Sequence, residues 1–364
     1  MSLSSSPEIV SDSARLGEIA AHLARAPAVA LDTEFLRERT YRPQLCLLQL
    51  AGDGLACCVD PLSGFTLDPL KPLLGSATPK ILHAARQDLE VLWPLFGSVD
   101  AIYDTQIAAA LAGMPAQIGY SELVRRLLGV TLAKAETRTD WSRRPLSAAQ
   151  LQYAIDDVVH LPALREALDA ELARLGRRGW LEEELQDLAN PERLFVDPEK
   201  AVERLRWSAE LDPDRERLAQ KLAAWRERRA IDRDRPRSWI LDDSALRSIV
   251  LKAPRGRSDL AALPDLTPGF LERSGEAVLQ VIESAALPAT LPPPAQRPRP
   301  DPVLMARVKR LSGAVQAQAQ QLSIAAELLA TRRDLENIAR GAAVSEVLHG
   351  WRATLLGEAL NAAL

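Results

Sequence analysis

Apolar positions in the first half of the chain follow two rhythms. Residues 26–35 (APAVALDTEF) form an apolar run that ends in charge, and 45–51 (LCLLQLA) and 55–60 (LACCVD) are two more short runs. The latter pair is separated by Gly52-Asp53-Gly54, and an Asp-Gly between two such runs predicts a β-hairpin. Residues 80–84 (KILHA) read as a further strand, with a helix following around Asp88–Phe96. Ser147 and Gln150 fit a capping box, so a helix is predicted to begin there. Short strands first, then helices alternating with strands, predict a mixed sheet flanked by helices up to about Gly176.

Past about Glu184 the strand rhythm stops. Residues 214–286 read as several short helices, with Leu218, Leu222 and Trp225 at i, i+4 and i+7. Residues 287–303 (LPATLPPPAQRPRPDPV) hold seven of the 25 prolines and read as a semi-stiff linker. Residues 304–364 are helical again and rich in Ala, Leu and Gln. The pattern therefore divides into an α/β domain over 1–205, a helical domain over 206–287, a proline-rich linker over 288–303 and a smaller helical domain over 304–364.

Composition agrees with that division. The chain has 364 residues, 47% hydrophobic and 26% charged, which fits two or three globular domains and excludes a largely disordered chain. There is no apolar run long enough to span a bilayer, and the polar, acidic start lacks a secretory pattern. Cys46, Cys57 and Cys58 cannot form a disulfide framework and read as reduced core residues, so a cytoplasmic protein is expected. The net charge of -4 hides an asymmetry: residues 215–257 carry 13 basic and 6 acidic side chains. A basic segment can contact phosphates, and an acidic front can face nucleic acid if its carboxylates hold cations. The same segment interleaves acids with bases, as solvated helix faces also do.

Asp32 and Glu34 close the first strand, and residues i and i+2 share a face, so two carboxylates lie side by side. Asp88 stands where a strand passes into a helix, a place that also suits an N-cap. Tyr153 and Asp157 are i and i+4 on the capped helix, while Asp156 points elsewhere. Each feature alone is more readily structural than catalytic.

Together, the acids and their surroundings resemble the tyrosine-containing branch of the DEDD 3′–5′ exonucleases, and within it the bacterial ribonuclease D family. The residues that carry the resemblance are LDTEF at 31–35, TYRPQL at 40–45 with LQL at 48–50, HAARQDLEV at 83–91, YDTQ at 103–106, and DWSRRPL at 140–146 leading to YAIDD at 153–157. In the second half, LAAWRERR at 222–229 and DRPRSWIL at 234–241 resemble an HRDC domain; the resemblance implies that 304–364, with RRDLE at 332–336 and GW at 350–351, would be a second, diverged copy. The resemblance implies an α/β ribonuclease-H-like exonuclease domain, a mixed sheet flanked by helices, plus two all-α HRDC-type helical domains.

It also implies roles. Asp32, Glu34, Asp88 and Asp157 would hold two divalent cations, Mg²⁺ or Mn²⁺, with Asp32 bridging them and Asp88 acting largely through waters. Hard cations of this kind suit four acids with no Cys or His cluster. Tyr153 would orient the attacking water. The implied substrate is RNA with a single-stranded 3′ end, such as a tRNA precursor, with no membrane association and no obligate protein partner. Gln49, His83, Arg226 and Arg229 are candidates for substrate contact, and Asp104 for support. His83 reads more readily as a packed strand-end residue than as a substrate contact, and Trp225 and Trp239 could stack on bases, although their helical setting favours packing. A DNA 3′–5′ exonuclease and a non-catalytic nucleic-acid-binding scaffold are the alternatives; the presence of all four acids and the tyrosine argues against the scaffold.

Overall fold

The structure is a computed structural model that describes residues 7–133, 139–208, 211–288, 291 and 301–364. Most of the proline-rich linker expected over 288–303 lies outside the described residues. The chain packs into two compact units, and these do not follow chain order. The first holds the described residues of Met1–Leu36, Gln44–Leu194 and Pro300–Leu364; the second holds those of Arg37–Pro43 and Phe195–Arg299.

The first unit is built on six strands: β1 (Glu8–Val10), β2 (Val29–Leu36), β3 (Gln44–Gly52), β4 (Leu55–Val59), β5 (Lys80–Leu82) and β6 (Ile102–Asp104). Their order is β1-β4-β3-β2-β5-β6, with β2, β3 and β4 antiparallel in sequence and β1, β5 and β6 added in parallel. The mixed sheet is thus as expected. The β3–β4 hairpin turns through Asp53 (φ 46°) and Gly54 (φ 78°), the two left-handed residues that a tight hairpin requires. Two further strands, β1 and β6, are not among the runs read from the sequence.

Both faces of the sheet are covered. Leu31, Leu48, Leu50 and Leu82 pack with Leu16, Ile19 and Leu23 of the helix Ser13–Leu23 and with Leu89 and Leu92 of the helix Arg86–Phe96. Ala30, Ala51, Ile81 and Tyr103 face the other way, toward the helices Thr105–Leu111, Tyr120–Leu128 and Leu161–Leu175. A bulge breaks the β2–β3 register after Glu34, which pairs with Leu47 while Phe35 pairs with Leu45. The extra residue, Cys46, joins Leu47 and Cys58 beneath Leu151, Ala154 and Ile155 of the helix Ala148–Val159. Bulges bend a strand and re-aim its side chains, and this one sits beside Glu34.

The C-terminal helices, expected as a separate body, share the core of the first unit. Leu164, Leu168 and Leu172 belong to one apolar cluster with Leu311, Val315, Ile338 and Leu356. Arg177 is buried and donates to the carbonyls of Leu111 and Leu322, each at 2.6 Å. Those residues end the helices Thr105–Leu111 and Pro302–Leu322, so one guanidinium satisfies the orphan carbonyls of both. The rings of Trp180 and Trp351 stack at 4.5 Å, Trp351 Nε1 donates to Glu184 at 2.8 Å, and Arg352 grips the same carboxylate.

The second unit is helical. Leu218 and Leu222 of the helix Pro213–Arg233 pack with Leu246, Ile249, Leu260, Val278 and Ile282. Asp212 caps that helix by accepting from the Arg215 backbone N–H at 3.0 Å. Arg37–Pro43 contributes Tyr41, whose hydroxyl donates to the buried carboxylate of Glu227, and the Arg42 backbone N–H donates to Asp234 at 2.9 Å.

Trp351→Ala removes a buried ring, its stacking partner's contact and the donor to Glu184. It is expected to destabilise the protein by about 3–5 kcal/mol, the usual cost of emptying a buried tryptophan site. Urea melts of the full chain check this; an unchanged midpoint would show that the C-terminal helices do not share the core.

Candidate active site

Strand β2 ends by presenting alternate side chains to opposite faces. Asp32 pairs with Gln49 and Glu34 with Leu47 across β3, so both carboxylates point to the face that the helix Ala148–Val159 covers. That helix begins as expected: the Gln150 backbone N–H donates to Ser147 Oγ at 3.2 Å, and the Ser147 N–H donates to Gln150 Oε1 at 2.7 Å. Its phase buries Leu151, Ala154 and Ile155 against the sheet and brings Tyr153 and Asp157 over the strand ends. Asp32, Glu34 and Asp157 then offer carboxylate oxygens that all lie within 4.8 Å of one another.

Asp88 arrives from the opposite face. It lies in the first turn of the helix Arg86–Phe96, is buried, and accepts a hydrogen bond from the Thr33 hydroxyl at 2.5 Å. Thr33 lies between the two acids on β2, so the bond ties Asp88 to the strand that carries them. The turn ahead of that helix is fixed by Asp104. Its buried carboxylate accepts from the backbone N–H groups of Ala84 (3.1 Å), Ala85 (2.8 Å), Gln106 (2.8 Å) and Ile107 (3.4 Å). This holds Ala84 at φ 58° and sets where Asp88 emerges.

The electrostatics follow from crowding. Burial pushes Asp32 well above the usual carboxylate range, and the charges of Asp88, Asp157 and Glu34 push it further. Burial, with Asp157 and Asp88, lifts Glu34 to about 8. Burial lifts Asp157 to about 7 against an opposing hydrogen bond from Tyr153, and Asp88 to about 7 against its bond from Thr33. Burial, then Asp157 and Glu34, raise the Tyr153 phenol, which is therefore no base near neutrality. Such a group of acids keeps its protons or takes up cations. The donor set, oxygen only, fits a hard divalent ion.

The segment before the helix is clamped. Arg144 donates two 2.7 Å bonds to Asp60, and one of 2.7 Å each to the carbonyls of Cys46 and Trp141. Trp141 is thereby held with its ring 6.1 Å from that of Tyr153. Sequence reasoning gave no role to Thr33, Trp141 or Arg144; DWSRRPL was noticed only as a motif.

The other candidates fare differently. Gln49 is fully buried opposite Asp32, and neither amide atom has a hydrogen-bond partner among the described residues. His83 has Nδ1 2.9 Å from Thr105 Oγ1 and Nε2 3.0 Å from the Ile118 carbonyl, so both ring nitrogens are used within the protein. Arg226 is buried and donates to the Leu241 carbonyl at 3.0 Å and to Asp243 at 2.6 Å, so its guanidinium is engaged within the protein. Arg229 is half-buried, 5.9 Å from the centre of the Trp225 ring.

Metal-free, these carboxyls keep protons to pH about 7 or 8 when folded, but lose them near pH 4 when unfolded. Between those limits the folded state binds more protons, so its stability falls as pH rises. A cation offsets that loss only where the acids are ionised. The gain in Tm from Mg²⁺ or Mn²⁺ over EDTA is therefore expected to be larger at pH 8 than at pH 5. Thermal melts at both pH values check it, and equal gains would count against cation binding here.

Residues 7–173 match the 3′–5′ exonuclease family, and residues 215–282 match the HRDC domain family. The chain is 39% identical to ribonuclease D of Nitrobacter hamburgensis, covering 97% of this chain and 94% of that protein. It is also 39% identical to ribonuclease D of Gluconacetobacter diazotrophicus, covering 97% and 91%. The crystal structure of Escherichia coli RNase D, an exoribonuclease involved in structured RNA processing, superposes with a TM-score of 0.86 at 32% identity and covers 98% of each chain. The catalytic core of RRP6 from Trypanosoma brucei, at 23% identity and a TM-score of 0.59, shares the fold.

Proposed function

This chain belongs to the ribonuclease D family and is a 3′–5′ exoribonuclease, and from that premise we propose that it hydrolyses RNA from the 3′ end with Asp32, Glu34, Asp88, Asp157 and Tyr153 as its catalytic set, releasing 5′-mononucleotides. The exonuclease family depends on divalent metal. The observation that carries the assignment is the meeting of three carboxylates within 4.8 Å. Asp32, Glu34 and Asp157 would hold one cation, with Asp32 shared and Asp88 serving a second. When bound, two Mg²⁺ or Mn²⁺ ions would activate the attacking water and stabilise the leaving oxygen.

The chain's own residues do the rest. Tyr153 directs its hydroxyl to the water and does not take its proton, since its phenol is raised rather than lowered. Asp157 holds that hydroxyl by the same bond that opposes its own upward shift. Thr33 and Asp104 fix Asp88, and Arg144 fixes the segment that packs Trp141 near Tyr153.

The substrates we assign are tRNA precursors and other small structured RNAs with single-stranded 3′ tails, acted on in the cytoplasm without an obligate protein partner. Residues 206–287 would form the first HRDC domain and 304–364 a second, diverged copy, following an exonuclease domain over 1–205. Two features support the second copy. The helices Pro302–Leu322, Arg332–Ala339, Val344–Val347 and Gly350–Ala363 repeat the order and relative lengths of Pro213–Arg233, Asp243–Lys252, Arg257–Ala261 and Pro268–Ser284. The helix-bounding residues Asp301, Ser323 and Thr331 also stand at the same mutual spacing as Asp212, Asp234 and Asp242.

Incubation with 3′-tailed RNA and its DNA counterpart, in Mg²⁺, Mn²⁺ or EDTA, tests the reading. Mononucleotides should leave the 3′ end of the RNA, and EDTA should stop their release. Asp32→Asn and Asp157→Asn should each lower kcat by about 10³-fold or more while the protein stays folded. Tyr153→Phe should lower kcat by about 10²-fold with little change in KM. A wild-type rate from Asp32→Asn would refute the assignment.

A further inference from the structure

Trp225 and Trp239 look alike in the sequence, each in a helical stretch dense with arginine. The structure separates them. Trp225 packs against the core of the second unit beneath Arg229. Trp239 is 59% exposed, although the next two residues, Ile240 and Leu241, are buried. Among the described residues of this unit it is the largest apolar side chain left mostly in water.

Its setting is basic. The Arg235 guanidinium lies 5.9 Å from the centre of the Trp239 ring. Arg235 also donates to the Arg39 carbonyl at 3.2 Å, and the Arg42 backbone N–H donates to Asp234, so the segments 233–239 and 37–43 lie side by side within this unit. Arg39, Arg42, Arg233 and Arg235 are all exposed on them. The exposed acids on or beside the same segments are Glu38, Asp232 and Asp234, fewer than the arginines, and Asp234 accepts from the Arg42 backbone N–H.

We propose that Trp239 is a base-stacking platform for single-stranded RNA, with the arginines of segments 233–239 and 37–43 contacting the flanking phosphates. The inference rests on the exoribonuclease reading, which supplies the partner, and deepens it by naming an RNA contact outside the catalytic set. An aromatic face accepts any base, and a cationic surround neutralises the backbone without reading sequence. That suits an enzyme that must hold tails of varied sequence.

The test uses the full chain and a 5′-labelled oligo(A) RNA, with binding followed by anisotropy in EDTA. Trp239→Ala should weaken binding about tenfold, and Trp239→Phe, which keeps a stacking face, should stay near wild type. Arg235→Gln should reduce the slope of log affinity against log salt by about 0.7. Trp239→Ala should keep the wild-type melting temperature and the wild-type kcat at saturating RNA. Wild-type affinity in Trp239→Ala would overturn the proposal and point to a protein partner for this patch. Equal loss in Trp239→Phe would also overturn it, because stacking would then not be the cause. Absence of mononucleotide release by the wild-type protein would instead count against the exoribonuclease reading, whatever the binding results.

Discussion

The structure depends on the crowding of like charges at the end of one strand. Asp32 and Glu34 share a face because side chains on a strand alternate, and the helix Ala148–Val159 adds Asp157 to the same place. Burial and mutual repulsion shift Asp32 and Glu34 upward, and burial does the same for Asp88 and Asp157. No protein gains stability from such an arrangement by itself. Polar contacts brace the frame: Asp104 accepts four backbone N–H groups, and Arg144 donates to Asp60 and to the carbonyls of Cys46 and Trp141. Each of these locks a stretch of backbone that presents a catalytic candidate. The rigidity of the frame is what keeps the acids from moving apart.

Much of that frame is legible in the chain. The hairpin is announced by Asp53-Gly54, the late helix by its capping box, and the acidic pair by an apolar run that ends in charge. What the local pattern does not show, and only the family resemblance implies, is the reach of Asp88. By alternation Thr33 turns away from Asp32 and Glu34, so nothing local suggests that a fourth acid should bond to it. The link exists because β5 runs parallel beside β2 and its following helix starts near the end of that strand. Parallel neighbours are set by crossover topology, which leaves no local signature.

The same limit explains the C-terminal helices. Amphipathic spacing shows that a helix buries one face, but not against what. A proline-rich stretch before them suggested an independent body, yet Leu311, Val315 and Leu356 complete the core around Leu164 and Leu168. Arg177 makes the join specific, since only a side chain between two helix ends can satisfy the carbonyls of both Leu111 and Leu322.

Arginines in the second unit show how far helix phase can decide function. Leu218, Leu222 and Arg226 follow one another at spacings of four, so Arg226 falls on the core stripe, and that signal was present in the sequence. Glu227 is different. It lies about 180° around the helix from Leu218 at roughly 100° per residue, where solvent would be expected, and yet it is buried. The segment Arg37–Pro43 covers it, with the Tyr41 hydroxyl on one carboxylate oxygen and Arg237 3.5 Å from the other. A buried carboxylate persists only where donors meet it. Two of the groups that bury or satisfy this helix thus come from a segment nearly two hundred positions away in the chain and from a turn beyond the helix end. Trp239 sits two residues past Arg237 in that turn. The arginine that faces Glu227 and the exposed indole thus stand on the same short helix, Arg237–Ile240.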